Sequence, residues 1–233
     1  YHEPPLFFGT ERPVYHNLII PTTWFGSGAS FYGNISGFDY RLMLFETLNS
    51  DKFTLSQGIR GGRMKGYKTD ASRFLYSARL DYLNIPGLKI GVSFSFNNAK
   101  GDSTNVDVTI IEFHTKYEAH NLTTIFEFGN ISYNSGELRA SRGYYFDLGY
   151  NVASFFQLNT KIIPFIRYSD INTAAETFSG GDNEKMYHFN EWMIGLNVKP
   201  SDNIVFKVDY SEQVRKLDDR RSKFINFGLG YMF

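Results

Sequence analysis

Cysteine is absent from the 233 residues, which excludes a disulfide framework and any thiolate-based metal site. Net charge is absent as well: 24 basic and 24 acidic groups cancel, so no global field draws the chain to nucleic acid or another acidic polymer. No run approaches the ~18 uninterrupted apolar residues of a membrane helix. The first residues show neither an initiator Met nor the charged-then-apolar order of a signal peptide, so the sequence reads as a mature form or a fragment. Proline is sparse, with seven in all, and four of them crowd into residues 1–24, where no alternation is sustained. That stretch reads as one long irregular loop, and a loop of such length calls for a functional reason.

What the chain has is aromatic residues, 16 Tyr and 23 Phe, with 21 Gly, arranged with a period of two. The last stretch shows it best: Ile225, Phe227, Leu229, Tyr231 and Phe233 alternate with Asn226, Gly228, Gly230 and Met232, which is a strand with one apolar face. The same pattern predicts eleven strands, at about 25–36, 38–48, 72–84, 88–98, 106–117, 121–132, 142–152, 160–169, 189–199, 203–212 and 222–233. One face of these strands is apolar and free of charge, with residues such as Tyr40, Leu42, Phe74, Tyr76, Phe94, Phe126, Tyr144, Tyr168, Trp192, Leu196 and Phe206. A soluble sandwich segregates its faces too, but eleven strands with aromatics at both ends of the apolar face suit a lipid band better. The expected fold class is all-β, an antiparallel transmembrane β-barrel placed in a bacterial outer membrane. Residues 1–233 form one barrel domain, with 1–24 its long loop and 25–233 its strands.

The other face collects the charge. Alternation turns inward Arg41, Arg79, Lys89, Lys116, Lys161, Arg167, Lys199 and Lys207, eight cations, against six carboxylates, Asp81, Glu112, Glu127, Asp147, Glu191 and Asp209; His114 lies between Glu112 and Lys116. These are the candidate pore-lining residues. The surplus of two is a bias toward anions. A cluster on the loop at 49–71, Arg60, Arg63, Lys65 and Lys68, adds positive charge at the outer mouth, where it either steers anions, is simply solvated, or meets lipopolysaccharide.

Short turns (Gly37, 84–87, 118–120, about 154–158, 200–202) alternate with long polar loops (49–71, 99–105, 133–141, 170–188, 213–221). Outer-membrane barrels keep their short turns in the periplasm. The first and last strands then both run from outside to periplasm, so an odd number of strands is expected to precede residue 1. The alternative is that 1–24 conceals an irregular strand of a twelve-stranded barrel.

Several segments resemble a known family: H-E-P-P-L-F-F-G-T-E-R-P (His2 to Pro13) with I-I-P-T-T-W (Ile19 to Trp24), and G-I-R-G-G-R-M-K-G (Gly58 to Gly66) followed by R-L-D-Y-L-N-I-P-G-L-K-I-G-V-S-F (Arg79 to Phe94). With G-Y-Y-F-D-L-G-Y-N-V (Gly143 to Val152) and P-F-I-R-Y (Pro164 to Tyr168), they are similar to the phosphate-selective porin O and P family, along essentially the whole chain. The resemblance implies the C-terminal part of a sixteen-stranded homotrimeric porin without cofactor or metal. It also implies outer-membrane lipid, lipopolysaccharide and small hydrophilic solutes or anions as partners. The loop at 1–24 would then be the third outer loop, folded into the lumen, with Glu3, Glu11, Arg12 and His16 (and His2) as constriction candidates, or else a cap on the mouth. A barrel enzyme and a plugged structural or adhesion barrel remain as alternatives. The chain shows no G-x-S-x-G elbow and no H-E-x-x-H spacing.

Overall fold

A computed structural model describes residues 6–22, 24–66, 72–181 and 183–232. Glu3 and His2 of the constriction candidates, Lys68 of the basic loop, and the terminal Phe233 lie outside the described residues. Eleven strands form one antiparallel sheet in strict sequence order: β1 (Gly28–Ile35), β2 (Phe38–Glu46), β3 (Phe74–Tyr82), β4 (Leu88–Lys100), β5 (Asn105–Ala119), β6 (Leu122–Tyr133), β7 (Leu138–Tyr150), β8 (Lys161–Thr177), β9 (His188–Ser201), β10 (Ile204–Arg215) and β11 (Arg221–Tyr231). β1 and β11 are the edges of the sheet. Among the described residues the α-helices are two single turns, α1 (Tyr15–Leu18) and α2 (Asn183–Met186), and no helix is long and apolar enough to cross a membrane.

Turn chemistry fixes the register. Ser36 and Gly37 both have positive φ, 51° and 81°, as do His120 and Asn121 at 52° and 65°, the conformation of two-residue hairpins whose twist matches that of the strands. At Gly37 a side chain would also run into the Asn84 amide, which reaches across to the Ser36 carbonyl at 2.7 Å. The connection expected to be short near 154–158 is longer than the others at that end, because a 3-10 turn at Val152–Phe156 occupies it.

The convex face is apolar and uncovered. Phe94 is 50% exposed, Trp192 and Ile194 are 56%, and Phe227 is 77%, so these side chains belong to no protein core. Phe113, Phe126, Tyr144, Tyr168 and Trp192, one from each of β5 to β9, form a continuous row with ring centroids 6.1, 6.2, 6.0 and 4.6 Å apart. Rings at this spacing attract beyond their burial, and such a row is what the bilayer interface selects.

Beyond the row, toward the long loops, polarity changes sides. The outward positions become Thr109, Asp107, Asn130, Ser132, Arg142, Asp170 and Asn172, while the inward ones become Val106, Val108, Ile110, Ile131, Tyr133 and Ile171, all buried. Here the sheet has left the lipid and builds an ordinary core. Leu48, Phe53, Leu55 and Ile59 of the loop after β2, and Tyr15 and Ile19 of α1 and its end, pack onto it. Each fully buried aliphatic side chain is worth about 1.5–3 kcal/mol.

Asp51 ties that loop to the β4–β5 connection, accepting from the amides of Asp102 (2.7 Å) and Ser103 (3.1 Å) and from the Thr104 hydroxyl (2.7 Å). The Thr104 hydroxyl, then the Ser103 amide, hold its carboxyl below the usual range. A carboxyl lowered in the folded state stabilises it above the ordinary carboxylate range, and that contribution is lost as pH falls through the lowered value. Asp51→Asn, or acidification below the carboxylate range, is expected to raise amide exchange at 101–104 while leaving the strands protected. Unchanged exchange in this loop would refute the anchoring role.

Candidate solute passage on the concave face

Parity sends the candidate pore-lining charges of β2 to β10 to the concave face, and the structure gathers most of them into three groups. On β3 to β5, Arg79 Nε donates to Asp81 Oδ2 (3.0 Å), Lys89 Nζ lies 3.1 Å from the same oxygen, and His114 sits between two carboxylates, Nε2 at 2.6 Å from Asp81 and Nδ1 at 2.8 Å from Glu112. The Ser93 hydroxyl donates to the other Glu112 oxygen at 2.9 Å. Gly91 makes this possible, since a β-carbon there would stand 2.0 Å from Asp81 Oδ1 and 2.4 Å from His114 Nε2.

On β6 to β8 the partners come partly from residues 6–22, which lie along the concave face. His16 Nε2 is 2.8 Å from Glu127 Oε2, and the Tyr145 hydroxyl donates to Oε1 at 3.0 Å. Arg167 forks onto Asp147 through Nε and Nη2 (2.6 and 2.7 Å), places its guanidinium carbon 5.7 Å from the centroid of the Tyr145 ring, and donates through Nη1 to the Glu11 carbonyl at 3.4 Å. Both members are buried, Arg167 at 0% and Asp147 at 1% exposure. The bidentate geometry is the one that compensates the desolvation of such a pair best.

On β10, Lys207 Nζ donates to the carbonyls of Phe7 (2.5 Å) and Gly9 (2.7 Å), and Asp209 accepts from the Thr10 amide (2.6 Å) and from Asn226 of β11 (2.8 Å). Phe8 stacks on Phe165 with centroids 5.3 Å apart. Residues 6–22 are thus held at both ends. Leu6 to Phe8 lie at the short-turn end near Lys161 and Asp202, and Ile19 and Ile20 approach Gly129 at the other.

The remaining expected residues lie as follows. Arg41 is exposed near the β1 edge, over the Tyr32 ring at 5.6 Å. Lys116 pairs with Glu118 at 2.5 Å, Lys161 with Asp202 at 2.6 Å, and Lys199 is the register partner of Lys161. Glu191 is buried opposite Ser169. Glu11 is exposed, and Arg12 donates to the Thr22 hydroxyl at 3.2 Å. In the basic loop, Arg63 donates to the Arg60 carbonyl at 2.9 Å; partial burial, then the charge of Arg60, lowers its pKa. Lys65 is exposed.

The inward charges therefore divide by sign. Five of the six carboxylates, Asp81, Glu112, Asp147, Glu191 and Asp209, are buried, whereas of the eight cations only Arg167 and Lys207 are. Sequence reasoning missed Tyr145, an inward aromatic between outward Tyr144 and Phe146 that parity alone would have placed. It also missed the carbonyls and amide of Phe7, Gly9, Thr10 and Glu11, which carry no side-chain signal.

No protein-family model matches the chain. An anion-selective porin from Comamonas acidovorans superposes with a TM-score of 0.58 at 10% identity, over 88% of this chain and 58% of the porin. This is the fold of an outer-membrane β-barrel. A porin refined at 1.8 Å superposes with a TM-score of 0.53 at 8% identity, over 88% of this chain and 61% of its own. In sequence, an uncharacterized protein of Aquifex aeolicus is 22% identical over 255 residues, which cover all of this chain and 58% of the relative. The chain spans 58% of the length of both the Aquifex protein and the Comamonas porin. Antiparallel barrel fold, apolar convex face and interfacial aromatic row together place the protein in the bacterial outer membrane.

Proposed function

We propose that this chain is the C-terminal part of a sixteen-stranded porin, a homotrimer by its resemblance to the phosphate-selective O and P family, which lets small hydrophilic solutes diffuse passively and modestly favours anions. The observation that carries the anion preference is the unequal burial of the inward charges. Five of the carboxylates are buried, while Arg41, Arg79, Lys89, Lys116, Lys161 and Lys199 all keep some exposure, so the charge that water and ions meet is biased toward the cations even though Glu118 and Asp202 accompany Lys116 and Lys161. Phosphate is the solute the family resemblance favours among such anions. Residues 6–22 serve as the constriction, with Glu11 and Arg12 on their accessible side and His16 as an anchor. The basic loop steers anions to the outer mouth, next to lipopolysaccharide.

A non-catalytic role fits the histidines: His16, His114 and His188 each face a carboxylate, Glu127, Glu112 with Asp81, and Asp170 respectively. The rival reading is a plugged barrel, favoured by the depth to which residues 6–22 and the loop after β2 fill the concave side.

Planar-bilayer conductance of the full-length protein separates the two, since a plugged barrel passes no ions. Neutralising Arg41, Arg79 and Lys89 together is expected to lower the anion-to-cation permeability ratio by about two-fold or more. Neutralising Arg60, Arg63, Lys65 and Lys68 should reduce anion entry chiefly at low salt, because steering is screened beyond about 8–10 Å at higher ionic strength. A reversal potential unmoved by the triple variant would remove the charge-based account of selectivity.

A further inference from the structure

The connection from β7 to β8 has a chemistry of its own at the short-turn end. The hairpins at 118–121 and 201–203 carry Glu, His, Asn, Ser and Asp, whereas residues 151–160 read N-V-A-S-F-F-Q-L-N-T, without a charge. Phe155 and Phe156 are 70% and 73% exposed there, and Leu158 is 54% exposed. The backbone holds them in that position. Ala153 is wholly buried, the Ser154 hydroxyl donates to the Asn151 carbonyl at 2.8 Å, the Asn151 side-chain oxygen accepts from the Ile162 amide at 3.0 Å, and the Leu158 amide returns to the Ala153 carbonyl at 3.3 Å. A 3-10 turn closed in this way presents its rings rather than folding them away.

The turn also has a side. On β7 a β-carbon at inward Gly149 would meet Phe8 of the inserted segment, so Tyr150, the register partner of Leu122, faces outward. Phe155 stacks on that outward ring, with centroids 5.5 Å apart and planes inclined by 26°. The turn therefore prolongs the convex surface that meets lipid. Phe38 and Tyr82, outward at the same end of β2 and β3, lie with centroids 5.0 Å apart, so aromatic rings mark this rim elsewhere too. Continuity with the lipid-facing wall selects what covers Phe155. A protein partner would have to displace lipid from the wall beside Tyr150, whereas the boundary between headgroups and acyl chains takes uncharged aromatic rings as it finds them.

We propose that Val152–Phe156 is a lipid anchor, with Phe155 and Phe156 seated at the headgroup boundary of the periplasmic leaflet. The anchor requires the barrel in its membrane and is independent of what the barrel conducts.

The absence of cysteine permits a direct test. Full-length protein carrying Phe156→Cys, Phe94→Cys or Asp202→Cys is labelled with a nitroxide and reconstituted in vesicles of phosphatidylethanolamine and phosphatidylglycerol. Paramagnetic resonance then measures collisions of the label with oxygen, which concentrates in lipid, and with a nickel chelate, which stays in water. Phe94 stands on the lipid face, and Asp202, with its side chain 78% exposed, on a polar turn. The oxygen-to-nickel ratio at 156 is expected to exceed that at 202 by about three-fold or more and to approach that at 94. A ratio at 156 equal to that at 202 would put the turn in water and overturn the anchor. Low collision rates with both reagents would overturn it as well, since they would mean that protein, a second copy or another chain, covers the position.

Discussion

Replacing Arg167 with methionine is expected to cost about 3–5 kcal/mol of folding stability, because it strands a buried carboxylate. Asp147 is 1% exposed and receives two hydrogen bonds of 2.6 and 2.7 Å from that one guanidinium. Once the cation is gone, the carboxylate is left buried without its counter-ion. The same substitution removes the donor to the Glu11 carbonyl and the cation facing Tyr145, so residues 6–22 lose part of their attachment as well. Urea unfolding of protein inserted in lipid vesicles measures the loss. The check on the cause is the double variant Arg167→Met with Asp147→Asn, which should recover most of the stability, since removing both charges removes the desolvated ion. A single variant that loses less than about 1 kcal/mol would mean that water reaches Asp147 after all.

Adjacent residues supply the second large effect. Phe94 and Ser93 are neighbours on β4, one 50% exposed on the convex face and the other donating to Glu112 on the concave face. Phe94→Lys should cost about 2–4 kcal/mol, the penalty for a lysine on the lipid face near the bilayer midplane. Ser93→Lys should cost far less, because its ammonium arrives beside Glu112 in a polar interior. The contrast is read from the same unfolding titration in vesicles. Equal costs at the two positions would show that the convex face of β4 does not face lipid. Because the two sites are one residue apart, neither local strand propensity nor depth in the membrane accounts for a difference between them.

Period-two alternation made most of the fold legible, and it failed where its physical cause changed. All eleven strands fall within a few residues of expectation through most of the sheet, but β7 begins at Leu138 rather than near 142, and β8 continues to Thr177 rather than stopping near 169. Past Tyr168 the outward residues are Asp170 and Asn172 and the inward one is Ile171. A pattern read for lipid outside and water inside therefore breaks at the point where water lies outside and a core lies inside. The inward charges were legible for the same reason the strands were, since parity assigns a face to every residue. Their partners were not, because the segment that covers them owes its path to backbone carbonyls and amides at Phe7, Gly9, Thr10 and Glu11. The pairing of His16 with Glu127 spans 111 positions, a separation over which sequence spacing carries no information. The resemblance to the O and P family reaches as far as a porin-like fold, and the preference for phosphate rests on the proposal above.

The reversal of polarity beyond the aromatic row also determines how deep the molecule floats. A strand that is greasy outside along its whole length can bob in the bilayer, trading exposure at one rim for exposure at the other. β5 to β8 have no such freedom. Sinking by two residues would drag Arg142 and Asp170 into hydrocarbon, and rising by two would lift Tyr144 and Tyr168 into water and uncover the bands of Phe and Ile beneath them. The four strands carry a common waterline, so the barrel wall is keyed to one vertical setting, and the outer half of β5 to β8 stands above the lipid as a rigid parapet on which the long loops are carried.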